Sequence, residues 1–183
     1  MPPPLRSPID RELLQIRDHL LRMSALVDAA IDRSVESLKN RNLALARQII
    51  ADDAPINELR FTIEGECMAL IATQQPAAGD LRAVIAAMNI VNDMERMADH
   101  ATGIAKAVTR RGDQPLLKPL VDIPKMAALT RNMLKRSIDA FSARDAQAAR
   151  AIAAQDDEID HLYKAIFDEL LGIMARDPET ISR

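Results

Sequence analysis

The chain has 183 residues, enough for one good-sized core or two small ones. Its residues are 48% hydrophobic but only 2% aromatic, with 5 glycines and no tryptophan, so the core must be aliphatic, and Ala, Leu and Met favour helices over sheets. A net charge of −3 argues against a nucleic-acid binder, the single Cys67 excludes an internal disulfide, and no run approaches the roughly 18 uncharged apolar residues of a membrane span.

Apolar residues recurring at three and four predict five long helices. The proline-rich start MPPPLRSP is no signal peptide. A first helix runs from about Ile9 to Leu38 and ends at Arg41 and Asn42. The second covers about Leu43 to Thr73, where Pro55 either kinks the helix or restarts it with Asp52 or Asp53 as cap, because proline lacks a backbone donor. A break at Gln74, Gln75 and Pro76 precedes the third, from about Ala77 to Arg110, with Asp80 as its expected cap. Residues 111–124, with one glycine and three prolines, form a linker. The fourth helix follows from about Lys125 to Ser142 and the fifth from about Asp145 to Arg176. Asp177, Pro178 and Glu179 then have the makings of another helix start. Cys67, inside an apolar run, is expected to be packed rather than reactive.

The second half overlays the first at one gap-free offset of 103 residues. Met23 falls on Met126, Ser34 on Ser137, Arg41 on Arg144, Arg47 on Arg150, Asp53 on Asp156, Ile63 on Ile166 and Glu66 on Glu169. Helical periodicity alone does not match identical polar residues across two helices and their connection. The reading is an all-α chain, a tandem repeat of three-helix bundles, with residues 1–110 as the first repeat and residues 125–183 as an incomplete second. The counterpart of the third helix would begin near position 180, so the last helix of the second repeat is expected to be missing, leaving an apolar face on the fourth and fifth helices.

The third helix carries VNDMERMADHATG from Val91 to Gly103. With Leu81 as heptad position a, Glu95 falls inside the packing seam, with Asn92 three residues before it and Asp99 four after it on one ridge. Carboxylates on successive turns repel, so something must neutralise them: a bound cation, Arg96, or an arginine from a neighbouring helix. Asp28, Asp32 and Glu36 form a second stripe on the first helix, facing either these acids or solvent. His100 lies on the side of Asp93 and Arg96, while His19 and His161 are isolated in sequence.

QQPAAGDLR at Gln74 to Arg82, then DMERMADHA at Asp93 to Ala101, within such a tandem repeat, resembles the PhoU family of phosphate-transport regulators over nearly the whole chain. The resemblance implies two similar three-helix bundles with a multinuclear metal site at an acidic E(D)xxxD motif in each repeat, matched here by Glu95 and Asp99. Asp28, Asp32 and Asn92 are additional candidate ligands, and iron, zinc, manganese and magnesium all suit oxygen donors. With the last helix missing, at most one such site is complete. With no phosphate loop and no paired nucleophile and base, no enzyme is expected. The exposed seam expected on the fourth and fifth helices leads to an expected homodimer. The resemblance also implies a cytoplasmic regulator. It would link the Pst phosphate ABC transporter, through a PstB-like ATPase, to a PhoR-like sensor histidine kinase, keeping the phosphate-starvation regulon off when phosphate is plentiful. Ala98 stands where the family generally has glycine and Gly103 where it has asparagine.

Two other readings stand beside this one. A metal-dependent carboxylate-bundle enzyme would need ligands from the first helix to complete a redox centre. Glu158 and His161 give one E-x-x-H, but di-iron enzymes need two, and no glycine-rich phosphate loop is present. An accessory of a sodium-coupled phosphate transporter has the same sequence features as the regulator.

Overall fold

The computed structural model describes residues 8–112 and 114–182; the proline-rich residues 1–7 lie outside the described residues. Seven helices and a final 3₁₀ turn follow one another: α1 (Pro8–Asn40), α2 (Leu43–Ala51), α3 (Ala54–Gln74), α4 (Ala78–Arg111), α5 (Asp122–Ser142), α6 (Ala146–Ala153), α7 (Asp156–Arg176) and Pro178–Ser182. The described residues are therefore all-α, and the repeat is visible in the backbone itself. Arg41 and Arg144, 103 positions apart, both adopt φ +54°, the left-handed turn that ends a helix. The next residues donate back to equivalent carbonyls, Asn42 to Ser37 and Asp145 to Ala140, each at 2.9 Å. Both then cap the following helix: the Asn42 side chain accepts from the Leu45 amide, and that of Asp145 from the amides of Gln147 and Ala148.

Three expectations about helix ends are corrected. The fifth helix splits in two at Ala154 and Gln155, while the second restarts with Asp53 at the cap position and Pro55 in the first turn, one of its two expected outcomes. Pro55 accounts for the first corner; the second falls 102 residues on, one short of the repeat offset and without a proline, so the corner belongs to the repeat's packing and not to Pro55 alone. Asp80 does not cap α4, because the cap position is Ala77. Asp80 sits in the first turn, where a carboxylate meets the positive end of the helix dipole, and its Oδ1 accepts from Arg144 at 2.9 Å. The helix expected from Lys125 begins at Asp122. Asp177 does open a new turn, accepting the Glu179 amide at 3.3 Å.

One core runs through α1, α3, α4 and the middle of α5. Ile16, Leu20, Met23, Val27 and Ile31 of α1 meet Ile56, Ile63, Cys67 and Leu70 of α3, and Val84, Val91, Met94 and Ala98 of α4. Leu134 and Ile138 tie α5 to the same cluster. A smaller cluster of Ala46, Ile49, Ala105 and Val108 fixes α2 against α4. The second repeat is looser: α7 buries no residue, and Tyr163, Phe167 and Leu171 form an exposed apolar face along it. Among the described residues, no helix is long and apolar enough to cross a membrane.

Cys67 is buried, and burial pushes its thiol up to about 11. At pH 8 only about one molecule in a thousand should carry the thiolate, so a thiol reagent should label the native chain very slowly and the chain in denaturant within minutes. Gly103 lies inside α4, and a Cβ there would meet nothing within 4 Å. Gly103→Ala should therefore stabilise the fold by about 1 kcal/mol, read from denaturant midpoints, since alanine loses less backbone entropy in a helix.

Candidate functional site

The buried residues of α4 are Val84, Ala87, Val91, Met94, Ala98, Ala101, Thr102, Ala105 and Val108. Val84, Val91, Ala98, Thr102 and Ala105 belong to the heptad seam counted from Leu81, and the rest of the buried face is the adjoining row of Ala87, Met94, Ala101 and Val108. Glu95 thus lies at the edge of the seam and not inside it, with 19% of its side chain exposed. An edge position leaves room for a long side chain from α3. Arg60 NH1 donates to Glu95 Oε1 at 3.3 Å, and Arg60 Nε donates to Glu64 Oε1 at 3.0 Å. The guanidinium thus bridges carboxylates from two helices. Its pKa is raised above the ordinary arginine value, first by the hydrogen bond to Glu64, with the charge of Glu95 adding to it. The same guanidinium carbon lies 5.3 Å from the centre of the Phe61 ring, within cation–π range.

The remaining predicted ligands do not gather around Glu95. Asp99, one turn on, is exposed. Asn92 donates its amide to the Met88 carbonyl of its own helix at 2.8 Å. Asp28 and Asp32 face α5 instead of the α4 acids. Arg131 grips Asp28 with two hydrogen bonds, Nε to Oδ1 at 2.8 Å and NH2 to Oδ2 at 2.9 Å, and its NH1 donates to Asp32. The Arg131 hydrogen bond holds the Asp28 carboxyl below its usual range, and the charges of Arg131 and Lys135 act the same way. Arg96, the partner first considered for Glu95, pairs with Asp93 at 3.5 Å, with both side chains exposed.

Asp28 and Arg131 are 103 positions apart, the repeat spacing. Equivalent positions of the two repeats therefore meet where α1 packs on α5, as residues do across an approximate two-fold axis. At that meeting point the first repeat carries acids at positions 28 and 32, and the second carries bases at positions 131 and 135. The sequence held this signal, since overlaying the halves sets acid on base at two positions one turn apart. Sequence reading also missed His19, isolated along the chain but 2.9 Å from Glu66 of α3 in space, with Gln15 donating to the other Glu66 oxygen at 2.6 Å. Glu158 is 3.7 Å from Lys125, and His161 is exposed.

These charges can clamp helices to one another. Whether they also suit a metal ion is decided by the donors. A hard cation takes several oxygens at once, but Glu95 and Glu64 are already turned to Arg60. Among the described residues, no group of three or more His, Cys, Asp or Glu side chains is placed to hold an ion. As arranged, the predicted ligands do not fit a metal centre.

Comparison with known proteins places this geometry. A model of the PhoU domain matches residues 20–108 and 123–183. The phosphate-specific transport system accessory protein PhoU homolog of Aquifex aeolicus is 36% identical over 173 residues, 94% of this chain and 78% of that protein. The Pseudomonas putida homolog is 37% identical over 175 residues, 94% of this chain and 68% of its own length. The crystal structure of PhoU from Pseudomonas aeruginosa superposes with a TM-score of 0.89 at 32% identity, covering 95% of this chain and 84% of that one. That of the phosphate transport system regulatory protein PhoU from Streptococcus pneumoniae gives 0.84 at 33% identity, covering 92% and 80%.

Proposed function

Because the chain belongs to the PhoU family, we propose that it is an accessory regulator of phosphate uptake that couples a phosphate ABC transporter to a sensor histidine kinase. Its relatives are named as accessory proteins of a phosphate-specific transport system, which supports a role beside the transporter. In the proposal, the chain works in the cytoplasm as a homodimer, contacts a PstB-like ATPase and a PhoR-like kinase, and holds the kinase in its repressing state while phosphate is plentiful. The observation that carries the reading is the match of both helical repeats, at about one residue in three identical, to proteins with these names. The site suits a binding role, since Arg60 and Arg131 hold carboxylates of neighbouring helices in ion pairs.

The test is binding between purified components. The chain should bind the ATPase and the cytoplasmic part of the kinase from its own source, at micromolar Kd or tighter in a titration. No binding to either by the folded chain would remove the adaptor reading.

A further inference from the structure

We propose that Arg60 is the resident counter-cation of the junction between α3 and α4, so that Glu64 and Glu95 are held by a guanidinium and need no metal ion. The argument begins with charge. Glu64 and Glu95 come from different helices, and their side chains are only 20% and 19% exposed. Two carboxylates brought together at half-buried positions disfavour each other's ionised form unless a positive charge sits between them.

Arg60 is that charge, with the shape the task needs. A guanidinium presents five N–H groups in a rigid plane and can donate to two carboxylates at once, which a lysine ammonium does less well. Its Nε serves Glu64 one turn on, at 3.0 Å, and its NH1 crosses to Glu95 at 3.3 Å. Stacking beside Phe61 at 5.3 Å limits where the fork can swing. An ion seeking Glu95 and Asp99 would have to displace a cation already bonded to Glu95 and attached to the neighbouring helix.

The repeat supplies an internal control. The positions 103 residues beyond Arg60 and Glu64 are Tyr163 and Phe167, uncharged and stacked with ring centres 6.3 Å apart. The clamp is therefore no general feature of the three-helix unit. It occurs at the helix pair where α4 brings a second carboxylate, Glu95, against α3. The proposal concerns how this junction is neutralised and stands apart from the choice of signalling partners.

The experiment uses the full chain. Manganese(II) is titrated into the wild-type protein and into Glu95→Gln/Asp99→Asn, and thermal unfolding is followed with and without a chelator. The proposal expects less than one-tenth equivalent of manganese at this site and a Tm that a chelator leaves in place. Arg60→Met should lower Tm by about 3 °C or more, and Arg60→Met/Glu95→Gln should recover part of that loss, because the remaining carboxylate no longer faces a second one. Should Arg60→Met fail to fold, the wild-type titration and Arg60→Lys still decide, the latter with a smaller drop in Tm. Stoichiometric manganese in the wild type that disappears in Glu95→Gln/Asp99→Asn would overturn the proposal. So would an Arg60→Met chain as stable as the wild type.

Discussion

Ile63→Ala is expected to cost about 3 to 4 kcal/mol of folding stability, and Ile166→Ala, the same substitution at the equivalent position of the second repeat, about 1 kcal/mol. The residues are identical and 103 positions apart; their surroundings differ. Ile63 has 0% of its surface exposed and packs in the main core of α1, α3 and α4. Ile166 is only half-buried on α7, a helix that buries no residue at all. Removing a fully buried side chain forfeits its transfer free energy and leaves a cavity, whereas a partly wet position loses less and leaves no enclosed void. Denaturant titrations of the two variants at one pH measure the difference directly. Equal losses would mean that α7 is as well packed in solution as α3, and the asymmetry between the repeats would have to be abandoned.

The second large effect belongs to the meeting point of the repeats. Arg131→Glu should destabilise the chain by about 2 kcal/mol, because it removes a charge-assisted fork and sets a third acid beside Asp28 and Asp32. The figure already allows for solvent screening, since the Arg131, Asp28 and Asp32 side chains are 32%, 39% and 59% exposed. Reversing the partners as well, with Asp28→Arg and Asp32→Lys, should restore much of the loss by recreating the pairing with its signs exchanged. The pH dependence has a definite sign. The Asp28 carboxyl is held below its ordinary value by Arg131, so the folded chain binds its proton less readily than the unfolded chain. That contribution is fully present above the unfolded value near pH 4 and fades as pH falls through the folded one. The stability gap between the wild type and Arg131→Met should therefore narrow below about pH 4. A gap that holds constant down to pH 2 would show that Arg131 acts by packing its stem and not through its charge.

Much of the fold could be read from the sequence because the repeat writes the same residues twice. Arg41 and Arg144 share one backbone conformation, and the polar identities around them reveal this before any coordinates. Two features escaped for physical reasons. The corner at Ala154 and Gln155 has no glycine or proline to announce it, and only the overlay on Asp52 and Asp53 points to it. The centre of the buried face of α4 was set slightly off because apolar residues cover more than half of its circumference, so neighbouring rows fit a heptad about equally well. Centring it on the Leu81 row placed Glu95 within the seam, whereas it lies at the half-buried edge.

The charged site was harder to read. Carboxylates advertise themselves in sequence, but their counter-charges lie on other helices. Arg60 is 35 residues from Glu95 and Arg131 is 103 from Asp28, and helical periodicity says nothing about contacts at such distances. The Arg131 pairing did leave a trace in the opposite charges that the overlay sets on each other. The Arg60 bridge left none, since its counterpart in the second repeat is Tyr163.

The measurement closest to the centre of the account is repression in a cell. In a bacterium whose own PhoU gene has been deleted, a reporter driven by a phosphate-starvation promoter is read in high phosphate, with and without this chain supplied from a plasmid. The account predicts that the chain, expressed with the sensor kinase and transporter of its own source, lowers reporter output at least tenfold and that starvation restores it. Full reporter activity in high phosphate, with the chain present, folded and abundant, would contradict the proposed role.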